Sequence, residues 1–249
     1  MSAPTTEQNQ NETTFTVDGF VKDAKQVLHA SSGSVEEQQQ AVKDLMAKVY
    51  AENSTEAIIK VLNDATPPGA SIAEMILHAD DDMTLLWAQV PPRFQSAVHD
   101  HSIWANILPL AGTEKNIIFD GGDVVDGGNK LNIVREVVVH PGEILNLPAD
   151  AIHCVENTSD FPTQALHVYG GNLKTIDHDR TYWSWKTKEK LPFSQPGLVK
   201  ECVIRMADSG NEMGLDAIAK AIPKLEPLVE QVKGSMNMKR QLNGTETAQ

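Results

Sequence analysis

Val98-His99-Asp100-His101-Ser102-Ile103-Trp104-Ala105 and Gly142-Glu-Ile-Leu-Asn-Leu-Pro148-Ala-Asp150-Ala-Ile-His153-Cys-Val-Glu-Asn157 are the two stretches on which the reading of this chain turns. On an extended strand, side chains at i and i+2 share a face, so His99 and His101 point the same way while Asp100 turns outward. A third histidine, His153, stands in the second stretch. Imidazole suits zinc, copper, iron and nickel, and three neutral ligands leave coordination positions open for water, oxygen or a substrate. The pattern reads as a three-histidine metal site inside a small β-barrel.

Around these stretches the chain is organised in three parts. Residues 72–185 hold short β-rich runs at 72–78, 84–89, 94–98, 104–110, 116–119, 131–139, 143–147, 152–156, 164–169 and 181–185, separated by Gly, Pro and Asp. Many short strands without βαβ alternation predict a sandwich or barrel, spanning residues 67–190. The segment from Asp120 to Gly128 reads as a hairpin turn, because Asp and Gly supply the positive φ that such turns need. Before the barrel, residues 14–66 carry three amphipathic helices, the second opened by a capping-box pattern at Ser34 and the third starting at Ser54. After it, residues 191–234 are again helical and cover the barrel, with interruptions at Pro223 and Pro227. Residues 1–13 are polar and aperiodic, which predicts a disordered tail, and residues 235–249 read as a flexible one.

Composition narrows the partners. A net charge of −13 disfavours nucleic acid and anionic membranes, since both need clustered Lys and Arg. Two cysteines, Cys154 and Cys202, are too few for a disulfide framework. The first residues lack the basic start and apolar run of a signal peptide, and no stretch reaches the roughly 18 apolar residues of a membrane span. A cytoplasmic monomer or homodimer acting on a small molecule is the expectation.

Written as a frame, the second stretch is Gly142-x5-Pro148-x-Asp150-x2-His153-x3-Asn157, and it resembles the second cupin motif, with Asp150 where Gly is usual. The first, His99-x-His101-x3-Ala105-x6-Gly112, resembles the first cupin motif, with Ala105 where many cupins place a glutamate ligand. This implies a double-stranded β-helix, the cupin jelly-roll, with flanking helices. The runs from His99 to Ala105 and from Leu166 to Asn172 are similar to segments of cysteine dioxygenases and of their bacterial relatives acting on 3-mercaptopropionate. That resemblance covers residues 72–175. It implies Fe(II) held by His99, His101 and His153, and use of O2 to oxidise a small thiol to a sulfinate.

The same resemblance implies catalytic roles for Tyr169, facing the site, and for His167, which orients it from two residues back on the same strand face. Three positions depart from the pattern. The serine of the family's Ser-His-Tyr relay is Ala165, the cross-linking cysteine falls near Ala105, and the substrate-binding arginine falls at His78. His78 could bond a polar group of the substrate or sit in the barrel wall. Trp104 could wall the pocket or belong to the core, and Arg93 and Arg180 could receive a carboxylate. Zinc, nickel or manganese would suit three histidines as well, giving a lyase, isomerase or hydrolase, and a non-catalytic ligand-binding cupin is a third possibility.

Overall fold

The computed structural model describes residues 14–31, 33–68, 70, 75–121, 124–125, 128–129 and 131–246. The 1–13 tail and much of the 120–128 turn lie outside these residues. Val124–Val125 does pair with Gly128–Asn129, antiparallel, as a hairpin requires.

Three helices come first: α1 (Val17–Ala30), α2 (Val35–Glu52) and α3 (Thr55–Asp64). Each begins at a hydroxyl residue, Thr16, Ser34 or Ser54, whose side chain accepts a hydrogen bond from the amide three residues on. That contact satisfies one of the free N–H groups of the first turn.

The strands are β1 (Ile76–Ala79), β2 (Thr84–Val90), β3 (Val98–Asp100), β4 (Ala105–Ala111), β5 (Glu114–Asp120), β6 (Val124–Val125), β7 (Gly128–Asn129), β8 (Asn132–Val139), β9 (Leu145–Leu147), β10 (Ile152–Asn157), β11 (Thr163–Tyr169), β12 (Thr181–Trp183) and β13 (Lys190–Pro192). They form a sheet of order β1-β2-β11-β4-β9 and a second of order β13-β12-β3-β10-β5-β8, with every pairing antiparallel. Neighbours distant in sequence, such as β3 with β10 and β2 with β11, mark the rolled-up antiparallel topology of a double-stranded β-helix. The molecule is mainly β, a jelly-roll with helices on both flanks.

β11 shows how the layers are built. Leu166 and Val168 face outward and join Leu85, Trp87 and Leu108 under Phe20, Leu28, Met46 and Ile58 of the first three helices. Ala165 and Tyr169 face inward with Ile107, Val139, Leu145 and Leu147. Because both faces are covered, every residue of the strand except Gln164 is buried, the polar Thr163 and His167 included. Gln39 of α2 fastens the helices to the barrel, its side-chain amide donating to the carbonyls of Ala105 and Leu147.

The C-terminal layer holds α4 (Gln195–Asp208), α5 (Glu212–Ala221) and α6 (Glu226–Glu246), with a short 3-10 turn at Pro223–Leu225. Met206, Val203, Leu215 and Ile218 pack there against Ala97 and Phe94. Pro223 breaks the helix, as its missing N–H requires. Pro227 sits at the second position of α6, where a free N–H is not needed, so the helix continues. It runs to Glu246, past residue 235, where the sequence reading expects loose chain.

Several strand edges shift by one or two residues, and two larger differences have a local cause. Residues 94–97 are not a strand: Arg93 has a φ of 57° after Pro91-Pro92, and Gln95 makes only an isolated bridge to Glu156. β13 is absent from the sequence reading because Lys190-Leu191-Pro192 lacks β-branched and aromatic residues. Among the described residues no helix is long and apolar enough to cross a membrane.

Candidate metal centre

His99 and His153 are cross-strand partners on β3 and β10, which puts both rings on one sheet face with centroids 4.7 Å apart. β3 stops at Asp100, and Ser102 takes a φ of 59°, so the chain turns just after His101. His101 still faces the other two, with ring centroids 5.1 Å from His99 and 4.9 Å from His153. One nitrogen from each ring lies within 4.8 Å of the others, and among the described residues this is the one group of His, Cys, Asp or Glu so arranged.

The nitrogens are oriented for ligation. His99 Nδ1 lies 3.0 Å from the Ala97 carbonyl, and His153 Nδ1 lies 3.0 Å from Asn116 Oδ1. Each Nδ1–H donates, so each Nε2 carries a lone pair. His153 Nε2 and His101 Nε2 face one another at 3.4 Å. That separation matches two nitrogens about 2.1 Å from a shared ion at a tetrahedral angle.

Burial keeps the rings neutral, as ligands must be. The pKa of His99 falls from 6.5 to about 4, chiefly through desolvation, with the charge of Arg180 adding to it. Desolvation takes His101 and His153 well below 6.5 as well, helped by the neighbouring rings. His101 and His153 are buried and His99 only partly so, which sets the open side of the cluster at His99. The donor set fits a divalent ion of the borderline class, with no carboxylate among the described residues sharing it.

Asp100 does face away from the rings, but it is not outward in the sense of reaching solvent. It is buried and accepts hydrogen bonds from the amide and the hydroxyl of Thr181, the first residue of β12. This tie fixes β12 beside β3 and brings in the preceding residue, Arg180.

Of the remaining candidates, Tyr169 and His167 join the cluster. Tyr169 is buried with its ring edge-on to His101, at 5.1 Å between centroids, and its hydroxyl lies 3.0 Å from His167 Nδ1. Desolvation raises the Tyr169 pKa and lowers that of His167 to about 3, so both are neutral.

His78, Trp104 and Arg93 do not join. His78 pairs with Leu85, whose side chain belongs to the layer under the N-terminal helices, and its Nε2 bonds Asp80. It lies on the outer face of the sheet, opposite to His167. Trp104 packs in that same outer layer, against Gly170. Arg93 pairs with Asp160 at 2.7 Å near the Asn157 end of β10, four residues from His153 along the strand.

Arg180 stands where these do not. Its guanidinium stacks on Phe193 at 3.9 Å, lies 3.5 Å from Asp177 and reaches the Asp100 carbonyl at 3.5 Å. Its side chain is 11% exposed. Asp100 is the residue between His99 and His101, and the charge of Arg180 acts to lower the pKa of His99, His101 and Tyr169. In sequence its only signal is a position at a strand end.

No protein-family model matches the chain, and no curated protein matches it. Solved structures give partial likenesses. The DMSP lyase DddQ from Ruegeria pomeroyi DSS-3 is 22% identical over 39% of this chain and 42% of that one, with a TM-score of 0.30. A hydroquinone 1,2-dioxygenase from Sphingomonas sp. TTNP3 is 13% identical over 39% and 65%, with a TM-score of 0.32. An RmlC-like cupin family protein with a double-stranded β-helix fold, from Methanocaldococcus jannaschii, is 12% identical over 41% and 81%, with a TM-score of 0.33. The matched region spans about two fifths of the length of the DMSP lyases, and the fold stands on the strand order described above.

Proposed function

We propose that this chain is a non-haem Fe(II) dioxygenase that converts a small thiol bearing a carboxylate into its sulfinate. The observation that carries the reading is the convergence of His99, His101 and His153, with no acidic ligand, beside the Tyr169–His167 pair. His99, His101 and His153 would hold a divalent ion whose undiminished charge would favour the thiolate form of the substrate and leave positions open for O2.

The chain's own residues supply the rest. Arg180 is the group that receives the substrate carboxylate, since its fork can bind one bidentately and its charge stands beside the rings. The sulfur is thereby turned toward His99, on the open side of the cluster. Tyr169 donates its hydroxyl proton toward the bound substrate, and His167 holds that hydroxyl through Nδ1. Ile107, Leu145 and Leu147 line the barrel interior and limit water there.

Oxygen uptake by iron-loaded protein over a panel of small thiols, with and without a carboxylate, tests the reading. Uptake with stoichiometric sulfinate is the expected result. Confirmed iron with no uptake across the panel overturns it. Zinc at one equivalent in protein purified without added metal, together with no oxygen uptake, would instead favour the hydrolytic or lyase alternative, because three imidazoles and a water are a zinc set.

A further inference from the structure

The inside of the barrel holds further buried polar side chains next to the histidine cluster. Glu114 and Asn116 lie two residues apart on β5, and Asn116 faces inward because it meets His153. Thr163, Ala165 and His167 share the inward face of β11 in the opposite sheet. Glu114 spans the gap between sheets: its Oε1 accepts from the Thr163 hydroxyl at 2.8 Å.

Three atoms here are left without a hydrogen-bond partner: Glu114 Oε2, Asn116 Nδ2 and His167 Nε2. Glu114 and Asn116 are 0% exposed, so bulk water does not serve them. Buried orphans at this density call for an internal water. Ala165, between Thr163 and His167 on that face, presents only a methyl group and offers none of these atoms a partner.

We propose that a water held over Ala165 links Glu114 Oε2 to His167 Nε2, making Glu114 a positioning residue for the His167–Tyr169 pair. The donors then run in one direction. The neutral carboxyl of Glu114 donates to the water, the water to His167 Nε2, His167 Nδ1–H to the Tyr169 oxygen, and the Tyr169 hydroxyl is free to donate into the site. Each acceptor in the chain is met, and the tautomer of His167 is fixed by its far end. The carboxyl suits this part because burial raises its pKa, against the pull of Thr163. Glu114 and the water together do what a hydroxyl at position 165 would do.

The effect on turnover rests on the dioxygenase reading, whereas the water and the neutral acid do not. A high-resolution crystal structure should show a water within hydrogen-bond distance of Glu114 Oε2 and His167 Nε2, and a dry gap there overturns the proposal. Infrared spectra of metal-free protein at neutral pH should contain a protonated-carboxyl stretch that Glu114→Gln removes, and identical spectra overturn it. In the active enzyme, Glu114→Leu should lower kcat about tenfold or more at unchanged KM. Glu114→Gln, which keeps a donor at the same place, should stay near wild type, and Ala165→Ser should restore turnover in the Leu background. Wild-type kcat in Glu114→Leu overturns the positioning role. Should wild type consume no oxygen with any thiol, the crystallographic and infrared results decide the water link alone.

Discussion

Asn116 Oδ1 accepts the Nδ1 proton of His153 at 3.0 Å, and this one contact across β5 and β10 settles which nitrogen of His153 faces its fellow ligands. The amide lies entirely inside the barrel, so nothing from solvent substitutes for it. Replacement of Asn116 by Ala should weaken metal binding by about 10- to 100-fold. Competition against a chelator of known affinity measures this, and unaltered affinity would separate Asn116 from the ligand set.

Arg180 and Arg93 make opposite predictions. Arg180→Gln should raise KM for a carboxylate-bearing thiol by about 10- to 100-fold, the loss of one charge-assisted pair of roughly 1.5–3 kcal/mol. A thiol with no carboxylate should feel little of this. Arg93→Gln should leave both substrates unchanged, since Arg93 is engaged with Asp160 away from the rings. Steady-state kinetics on the matched thiols distinguishes the two.

His167 links stability to pH. Above its ordinary value of 6.5 the ring is neutral in both folded and unfolded chains, while below it the unfolded chain takes up a proton that the folded one refuses until about pH 3. The unfolded state then binds more protons, so stability falls as pH drops through that window, by up to about 1.4 kcal/mol per unit for one ring. Metal-free protein should lose stability in denaturant titrations from pH 6.5 downward, and His167→Asn should flatten the slope by about one proton. An unchanged slope would mean the ring is not desolvated in solution.

Gly170 and Trp104 test the packing between β11 and the N-terminal layer. A Cβ at position 170 would stand 2.0 Å from Trp104 Nε1, whose side chain is 3% exposed and has nowhere to move. Gly170→Ala should cost about 1–3 kcal/mol in chemical denaturation. A wild-type midpoint would show that Trp104 can swing away.

Much of this molecule was legible along the chain. The helix starts at Thr16, Ser34 and Ser54 are local matters, decided by a hydroxyl and the amide three residues on. Strand periodicity puts His99 and His101 on one face, their grouping with His153 followed from resemblance, and the three rings lie together in the structure. What misled the reading was direction and distance. His78 occupies a plausible position in sequence, yet the register of β1 on β2 turns it to the outer face. Asp100 is opposite to the rings, as alternation demands, but the face it enters is closed by Thr181.

The sequence by itself determined most of the helices and strands and the pairing of His99 with His101, because periodicity, capping and spacing act over a few residues, whereas His153 entered through the resemblance. The tertiary structure alone decided that Arg180 rather than Arg93 or His78 stands by the rings, that Asn116 holds His153, and that Glu114 meets Thr163 across 49 positions. Those relations depend on how two sheets close on one another. A contact between strands far apart in the chain leaves no mark on either strand's own pattern, since each residue's spacing would be the same whichever partner it met.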